Sequence, residues 1–336
     1  MILTRRTFTQ TLALWIGAAL LLALTCCTRK QTVQVAPGEL KLELKTPFRF
    51  VAYGDARFHD PKDFEAANPP VRVALVRAVA DANPALICFS GDLVYNGYDE
   101  NDWKVWDDET SVWRDKKIPV YPAIGNHELH GDPTVALGNY FRRFPDLKNS
   151  RYYSVRAANV LILTLDSSLD EIGGPQGLWL AERLDRVPSD VDFVFLLLHH
   201  PPYTSSSDAN PLRGGHSARS SEQQLATMLE HRQAQARFRI IVLAGHVHNY
   251  ERHEHGGVTY FVSGGGGAHA YPISRAPTDP FQSNTVNYHY LMVEVSSQQV
   301  NITMNRVDLT SGKQVWTKPD AVKITVPVVA TQAVGR

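Results

Sequence analysis

This sequence has few cysteines and no net charge, and each of these two features excludes a class of protein. The 336 residues include 3 cysteines, two of them close to the N-terminus, so Cys88 has no disulfide partner in the rest of the chain. The 34 basic and 34 acidic residues balance. We therefore expect no nucleic-acid partner, because a protein that binds nucleic acid needs a basic surface. A His-Glu-x-x-His motif is absent, which argues against a zinc peptidase. Histidine, with 13 residues, is abundant instead.

The first residues are typical of an export signal rather than of a folded domain. Two arginines at residues 5–6 precede an apolar stretch over residues 11–25, which is short for a membrane span of about 20 residues. Residues 24–27, Leu-Thr-Cys-Cys, resemble a bacterial lipobox in which Cys27, or else Cys26, carries the lipid. A plain signal peptide, an uncleaved anchor and a twin-arginine signal stay open as alternatives. We expect an exported protein, either a cell-envelope lipoprotein or a periplasmic or extracellular protein, that meets a membrane only through a lipid anchor.

The remainder of the chain has the composition and pattern of one α/β domain. Hydrophobic residues make up 43% of the sequence, which is enough for a large core. Apolar runs of strand length alternate with segments of helical spacing such as residues 71–82, 99–113 and 220–232, and this predicts a sheet with helices on its faces. We divide the chain into a signal peptide with lipobox at 1–27, a linker at 28–46, the folded domain at 47–318, and a C-terminal strand and tail at 319–336.

Five apolar runs of the domain each end in residues that bind metals. The runs are residues 48–53, 85–90, 120–124, 193–198 and 239–244. They lead, in order, to Asp55, to Asp92, to Asn126, to His199, and to His246 with His248. Short apolar runs bounded by Gly are typical of buried strands, and ligands of open α/β sheets bind beyond the carboxyl ends of the strands. Carboxylate, amide oxygen and imidazole together suit hard or borderline metal ions, so the sequence predicts one site for a pair of ions.

The order of these motifs along the chain is more specific than any one of them. Alone, Gly-Asp after a strand is usually a turn, and His-x-His can be a structural pair. Together, from about residue 48 to residue 260, they resemble the calcineurin-like metallophosphoesterase superfamily, and within it the purple acid phosphatase branch. Arg57 stands where most of the superfamily has a ligand His, and Tyr95 stands where this branch has a ligand Tyr. Arg57 departs from the branch, which usually has a small residue there.

The resemblance implies a fold and a set of metal ligands. The fold would be α/β, a two-sheet β sandwich flanked by helices in four layers. One ion would be held by Asp55, Asp92, Tyr95 and His248, and the other by Asp92, Asn126, His199 and His246, with Asp92 bridging. Because a phenolate is a good ligand for ferric iron, we expect Fe paired with Zn, Mn or a second Fe. If Tyr95 is instead a core tyrosine, water fills its coordination position.

The resemblance also implies roles in catalysis. His127 would bind the phosphate and donate a proton to the leaving oxygen, with Glu128 either orienting it or capping the next helix. Arg57 would contact the phosphate oxygens, or else pair with a nearby carboxylate. His216 would contact the substrate, whereas His200 would pack behind the ligands.

The predicted activity is hydrolysis of a small-molecule phosphoester by a hydroxide that bridges the two ions. Phosphomonoesters, as for an acid phosphatase, are the first expectation. A phosphodiesterase on the same scaffold and an inactive surface protein that keeps metal are the alternatives. The natural substrate and the oligomeric state cannot be predicted from the residues.

Overall fold

The computed structural model describes residues 38–208, 216–283 and 285–326. The predicted signal segment and lipobox lie outside these ranges, and so does the end of the predicted tail. Within the described ranges, no helix is both long enough and apolar enough to cross a membrane.

In the described part of the chain, strands form two sheets of seven strands each. The first sheet contains, in spatial order, β1 (Glu39–Leu42), β5 (Tyr153–Ala157), β6 (Val160–Thr164), β7 (Phe193–Leu197), β8 (Arg239–Ala244), β10 (Val258–Ser263) and β9 (Tyr250–His255). The second contains β13 (Val315–Thr317), β12 (Gln299–Asp308), β11 (Tyr288–Val295), β2 (Phe48–Tyr53), β3 (Ile87–Phe89) and β4 (Val120–Pro122), and β14 (Ala321–Thr325) also pairs with β12. Strands β2, β3 and β4 are parallel, and so are β6, β7, β8 and β10.

Helices connect most of the parallel strands. They are α1 (Pro69–Ala82), α2 (Glu100–Glu109), α3 (Ser111–Asp115), α4 (Pro133–Arg143), α5 (Gly174–Asp185) and α6 (Ser220–Gln233), with short 3-10 helices at His127–Leu129 and Pro145–Leu147. Asn68, Asp99 and Asp132 cap α1, α2 and α4, because each side chain accepts a hydrogen bond from a backbone N–H of the first turn.

The two sheets pack face to face between layers of helices. In the core between them, Phe50 of β2 meets Phe195 of β7 edge-on, with ring centroids 5.2 Å apart. On the outer side of the first sheet, α5 and α6 complete a second apolar cluster that includes Trp179 and Leu225. Packing of this kind buries both faces of each sheet. The expected two-sheet sandwich flanked by helices is therefore confirmed.

Two elements differ from the sequence-based expectation. The helix predicted over residues 99–113 is interrupted at Thr110, whose hydroxyl donates to the carbonyl of Trp106 at 2.5 Å and competes with the helical hydrogen bonds. Within the predicted linker at 28–46, Glu39–Leu42 forms strand β1, which pairs in parallel with β5 at the edge of the first sheet. Its alternation of exposed and half-buried residues is that of an edge strand, so its polar composition looked like a linker.

Candidate metal centre

The parallel strands bring the predicted ligands to one edge of the sandwich. Asp55, Asp92 and Asn126 follow β2, β3 and β4 of the second sheet, while His199 and His246 follow β7 and β8 of the first. The carboxyl ends of parallel strands meet at one edge. The two sheets are joined there, because the backbone N–H of His246 lies 3.0 Å from both carboxylate oxygens of Asp55.

Four predicted ligands of one ion converge closely. The Nε2 atom of His199 lies 2.9 Å from Oδ1 of Asn126 and 3.3 Å from Oδ1 of Asp92. The Nδ1 atom of His246 lies 3.1 Å both from Oδ1 of Asn126 and from Nε2 of His199. The Nδ1–H group of His199 donates to the Ser90 carbonyl at 2.8 Å, so its Nε2 presents a lone pair to the cluster. Lone pairs of nitrogen and oxygen that face one another at such distances fit a shared cation.

The predicted ligands of the other ion include Asp55 and His248, which lie near each other. The Nδ1–H of His248 donates to the carbonyl of His269 at 2.9 Å, and its Nε2 lies 3.8 Å from Oδ1 of Asp55. That Nε2 is buried and has no hydrogen-bond partner among the described residues. Ligand atoms of Asp55, Asp92 and His199 all lie within 4.8 Å of one another. An orphaned buried imidazole nitrogen beside two buried carboxylates fits a second cation.

Burial dominates the electrostatics of this cluster. It raises the pKa of Asp55 well above its usual value, and the nearby carboxylate of Asp92 raises it further. Burial opposes the ionisation of Asp92 as well, but His199, His127 and Arg57 outweigh it and hold its pKa well below the usual value. The pKa of His199 is lowered, by burial first. Histidine binds metal ions in its neutral form. Carboxylates that are buried, as these are, need a compensating positive charge.

Arg57 pairs with the predicted bridging carboxylate itself. One of its terminal nitrogens lies 3.3 Å from Oδ2 of Asp92, and 16% of the Arg57 side chain is exposed. Arg72, fully buried in α1, donates to the Arg57 carbonyl at 3.1 Å and forms a two-pronged ion pair with Glu109 at 2.8 and 2.6 Å. The guanidinium of Arg57 is thus held beside Asp92, as one of the two predictions for it expected, and its contact with a phosphate stays a prediction.

His127 lies directly beside the predicted bridging residue. Its backbone N–H donates to Oδ1 of Asp92 at 3.0 Å, and its Nε2 lies 3.8 Å from Oδ2. Its Nδ1–H donates to the Tyr95 carbonyl at 2.5 Å, which fixes the ring so that Nε2 faces the cluster. Burial lowers the pKa of His127 to about 4.

Tyr95 is set apart from the other predicted ligands. Its side chain is partly exposed, and its ring lies between those of His59 and His127, with centroids 5.0 and 5.4 Å away. Among the described residues, no hydrogen bond or ring contact joins Tyr95 to Asp55 or His248. Its role as a ligand stays a prediction.

The two remaining histidines lie next to the cluster. The ring of His216 is 4.0 Å from that of His246, centroid to centroid, so the structure brings this predicted substrate contact to the site. His200 packs against His246 at 4.3 Å, and its Nδ1 lies 2.7 Å from the Ser167 hydroxyl. The ligand atoms of His199, His200 and His246 lie within 4.8 Å of one another, so the prediction that His200 packs behind the ligands stays a prediction.

Glu128 has a larger structural role than the sequence indicated. Its fully buried carboxylate accepts hydrogen bonds from the backbone N–H groups of four residues, at 2.8 to 3.2 Å: Asp92, Leu93, Val94 and Gly125. It thereby ties together the loops that carry Asp92 and Asn126. Burial first, and then Asp92, raise its pKa to about 8. Its position directly after Asn-His was a signal, but three of its four partners lie more than 30 residues upstream and could not be inferred.

A sequence model of the calcineurin-like phosphoesterase family matches residues 49–250. The match covers more than half of the chain, which therefore belongs to the calcineurin-like phosphoesterase family. Within the family it is similar to plant enzymes: it is 28% identical over 203 residues to phosphoenolpyruvate phosphatase of Allium cepa, covering 56% of this chain and 40% of that protein. It is 27% identical over 187 residues to Fe(3+)-Zn(2+) purple acid phosphatase 12 of Arabidopsis thaliana, covering 50% of this chain and 37% of that protein. The alignments thus span about two fifths of these relatives.

Solved structures show the same fold. Purple acid phosphatase PPD1 of Lupinus luteus superposes with a TM-score of 0.64 at 16% identity, covering 84% of this chain and 54% of that one. A dimetal phosphatase of Danio rerio superposes with a TM-score of 0.54 at 14% identity, covering 84% of this chain and all of that one. At such identities the likeness establishes the fold alone. The metallophosphoesterase resemblance expected from the sequence is confirmed.

Proposed function

We propose that this protein is an exported phosphoesterase that uses two metal ions and acts on phosphomonoesters. The observation that carries the proposal is the convergence of six carboxylate, amide and imidazole side chains from five strand ends, around Asp92, in a member of a phosphoesterase family. The export signal predicted at the N-terminus supports the localisation.

Six residues would hold the ions. Asp55 and His248 belong to one, Asn126, His199 and His246 to the other, and Asp92 to both. When bound, such ions supply an activated water and neutralise charge on the phosphate. A similar protein is named for iron and zinc, which supports Fe with Zn, Mn or a second Fe as the pair to test.

The remaining site residues have separate tasks. His127 would face the leaving oxygen through Nε2, since Nδ1–H donates to the Tyr95 carbonyl, and with a pKa of about 4 it would carry a second proton to donate from Nε2 only in acid. Arg57 would donate from its guanidinium to phosphate oxygens beside Asp92. His216, whose ring is 4.0 Å from that of His246 and tilted against it, would contact the substrate.

The test combines metal analysis with a substrate panel. We expect two metal ions per chain, and hydrolysis of p-nitrophenyl phosphate that exceeds hydrolysis of bis(p-nitrophenyl) phosphate. An Asp92→Asn variant should lose activity and metal, whereas Asp308→Asn, at a remote exposed carboxylate, should lose neither. A metal-loaded protein that is inert towards both esters would overturn the proposal, and a preference for the diester would assign a phosphodiesterase instead.

A further inference from the structure

The exposed apolar side chains of this protein are concentrated at one end of the sandwich. In the described ranges, eight large hydrophobic residues are exposed, from Trp316 at 37% to Leu178 at 73%. Six of them follow the carboxyl ends of parallel strands: Phe64 after β2, Tyr95 and Tyr98 after β3, Val135 after β4, and Ile172 and Leu178 after β6. These strand ends belong to the same end of the sandwich as the candidate metal centre.

The other two, Val315 and Trp316 of β13, lie at that end as well. Trp316 is paired with Val307 of β12, and Val307 is paired with Tyr288 at the start of β11. Because β11 runs antiparallel to β2, its start lies beside the end of β2, just before Asp55. Single exposed hydrophobic residues are common on protein surfaces, but scattered ones would occur at both ends. We call these residues the apolar rim, leaving out Tyr95 because it is a predicted metal ligand.

The described part of the chain also begins at this end. Strand β1 is parallel to β5, and β5 is antiparallel to β6, so β1 runs away from the metal centre. Its first residue, Glu39, is paired with Ser154, which is paired with Leu163 one residue before the end of β6. Three strand spacings separate β1 from β7, which is about 14 Å. The chain thus enters the fold on the side of the sandwich where the metal centre lies.

The predicted lipid attachment site is close to this entry point along the chain. Ten residues, 28–37, separate Cys27 from Gly38. A chain of that length spans at most about 40 Å when it is fully extended. A lipid on Cys27 therefore keeps the rim end of the sandwich within reach of the bilayer, and a leader retained as an anchor would do the same.

Carboxylates accompany the apolar rim in its loops. Each accepts a hydrogen bond from a nearby backbone N–H, and they are Asp60, Asp63, Asp99, Asp132 and Asp170. Such groups repel anionic head groups, whereas aromatic and aliphatic side chains bury themselves at the boundary between head groups and acyl chains. The rim is therefore suited to apolar contact with a zwitterionic bilayer rather than to electrostatic attraction.

We propose that the apolar rim lies on the membrane to which the N-terminus is anchored, so that the metal centre faces the bilayer and acts on phosphoesters presented there, such as phosphorylated lipid head groups. The inference rests on the proposed function for its substrate class and on the predicted anchor for its membrane. The position of the rim depends on neither.

The first experiment measures the orientation of the anchored protein without turnover. The full chain is reconstituted in phosphatidylcholine vesicles with an environment-sensitive fluorophore on Leu178→Cys in the rim or on Ser189→Cys, which is exposed before β7 at the opposite end. Cys88 is buried, and the unsubstituted chain gives the background labelling. Brominated phosphatidylcholine should quench the label at residue 178 by at least about twofold and leave the label at residue 189 unchanged. Added phosphatidylglycerol should not increase the quenching.

Three results of this experiment would contradict the proposal. A chain that does not bind the vesicles, or one whose two labels are quenched alike, would overturn it. If the label at residue 178 is instead shielded without lipid and in proportion to protein concentration, a second copy of the chain covers the rim, and the proposal fails as well.

The second experiment tests the rim residues and the substrate class. Phe64→Ser combined with Trp316→Ser should lower hydrolysis of phosphatidic acid in the same bilayer about 3–10-fold and leave glycerol phosphate in solution within about twofold, because only contact with the bilayer is weakened. Arg186→Ser, which removes an exposed side chain at the opposite end, is the control and should change neither. Equal losses on both substrates would overturn the proposal. If neither ester is hydrolysed but the label at residue 178 alone is quenched, the proposed function fails while the membrane surface stands.

Discussion

Several residues of the candidate site adopt backbone angles that side chains rarely tolerate. Positive φ values occur at Asp55 (60°), Arg57 (48°), Asp92 (53°) and His246 (69°). Such conformations are strained for residues other than glycine and persist only where the surroundings hold them. Here the backbone N–H of Asp55 donates to the carbonyl of Gly91, and the backbone N–H of Arg57 donates to the carbonyl of Asp92, both at 3.0 Å. The ligands are thus aimed at the centre before any ion or substrate binds.

The role of His127 can be tested apart from metal binding. Because its side chain faces Asp92 from outside the six proposed ligands, His127→Ala should lower kcat by roughly 10²–10⁴-fold and leave metal content intact. Metal analysis and steady-state kinetics on the same preparation measure both quantities. His231→Ala, at an exposed position on α6, serves as the control. Full activity of His127→Ala would contradict the assigned role.

Glu128 is expected to be critical for the stability of the metal loops. Glu128→Ala would leave four buried backbone N–H groups without an acceptor, so we expect a loss of at least about 3 kcal/mol in the free energy of unfolding. Urea denaturation measures this loss. Glu128→Gln, which keeps the shape and one acceptor, should be destabilised less. Equal stability of Glu128→Ala and wild type would show that water satisfies these groups.

At the scale of elements, the sequence predicted those strands and helices that depend on a local pattern of residues. The run at 239–244 is strand β8 with the same bounds, because the five apolar residues that follow Arg239 fit a strand buried on both faces. The helix expected over 220–232 is α6, Ser220–Gln233. Strand β9 was not predicted, since Tyr250–His255 carries five charged or imidazole side chains and is stabilised by antiparallel pairing with β10. Pairing between strands is a tertiary contact that one chain segment cannot reveal.

In the site, too, residues that belong to a local pattern could be predicted, and residues that meet only in the fold could not. Asp55, Asn126 and His199 could be found because each lies within four residues after the end of a strand. The clamp of Arg72 and Glu109 on the loop after β2 could not be found, because those residues are 37 positions apart on two helices and meet only in the fold. Residues that position others carry no motif of their own, and their function depends on packing.

The loop before α5 contains a buried carboxylate that should reduce stability at neutral pH. Neither oxygen of Glu171 has a hydrogen-bond partner among the described residues, and Arg219 is 3.7 Å away. Burial raises its pKa from 4.5 to about 7. The folded state therefore binds the proton more tightly than the unfolded state, so stability falls as the pH rises from about 4.5 to 7 and does not recover above that.

Replacing this carboxylate should remove the pH-dependent loss. Glu171→Gln should raise the free energy of unfolding by about 1–3 kcal/mol at pH 8 and change it little at pH 4. Thermal unfolding at both pH values measures the effect. Glu182→Gln on the exposed face of α5 is the matched control and should stay within about 0.5 kcal/mol. An equal effect of Glu171→Gln at both pH values would show that the carboxylate is not protonated in the folded state.

At the scale of the whole molecule, the site joins two sheets that also share an apolar core. Asp55 and Asp92 come from the second sheet, and His199 and His246 from the first, so each proposed ion has ligands from both. At the opposite end of the sandwich, Asn159 links Asp192 to the Ser296 carbonyl at 2.9 and 3.1 Å. Metal binding should thus stabilise the sandwich as a unit, rather than one loop.

Thermal unfolding of metal-free and metal-loaded protein tests this coupling. An ion at 100 times its Kd adds about 2.7 kcal/mol to the stability of the folded state, so loading two ions should raise Tm by several degrees in one cooperative transition. Asp92→Asn should abolish the rise because this residue contacts both proposed ions, while Asp308→Asn should retain it. If added metal sharpens only a minor early transition and leaves the main one in place, the ions bind a loop that unfolds independently, and the two sheets are not joined through the site.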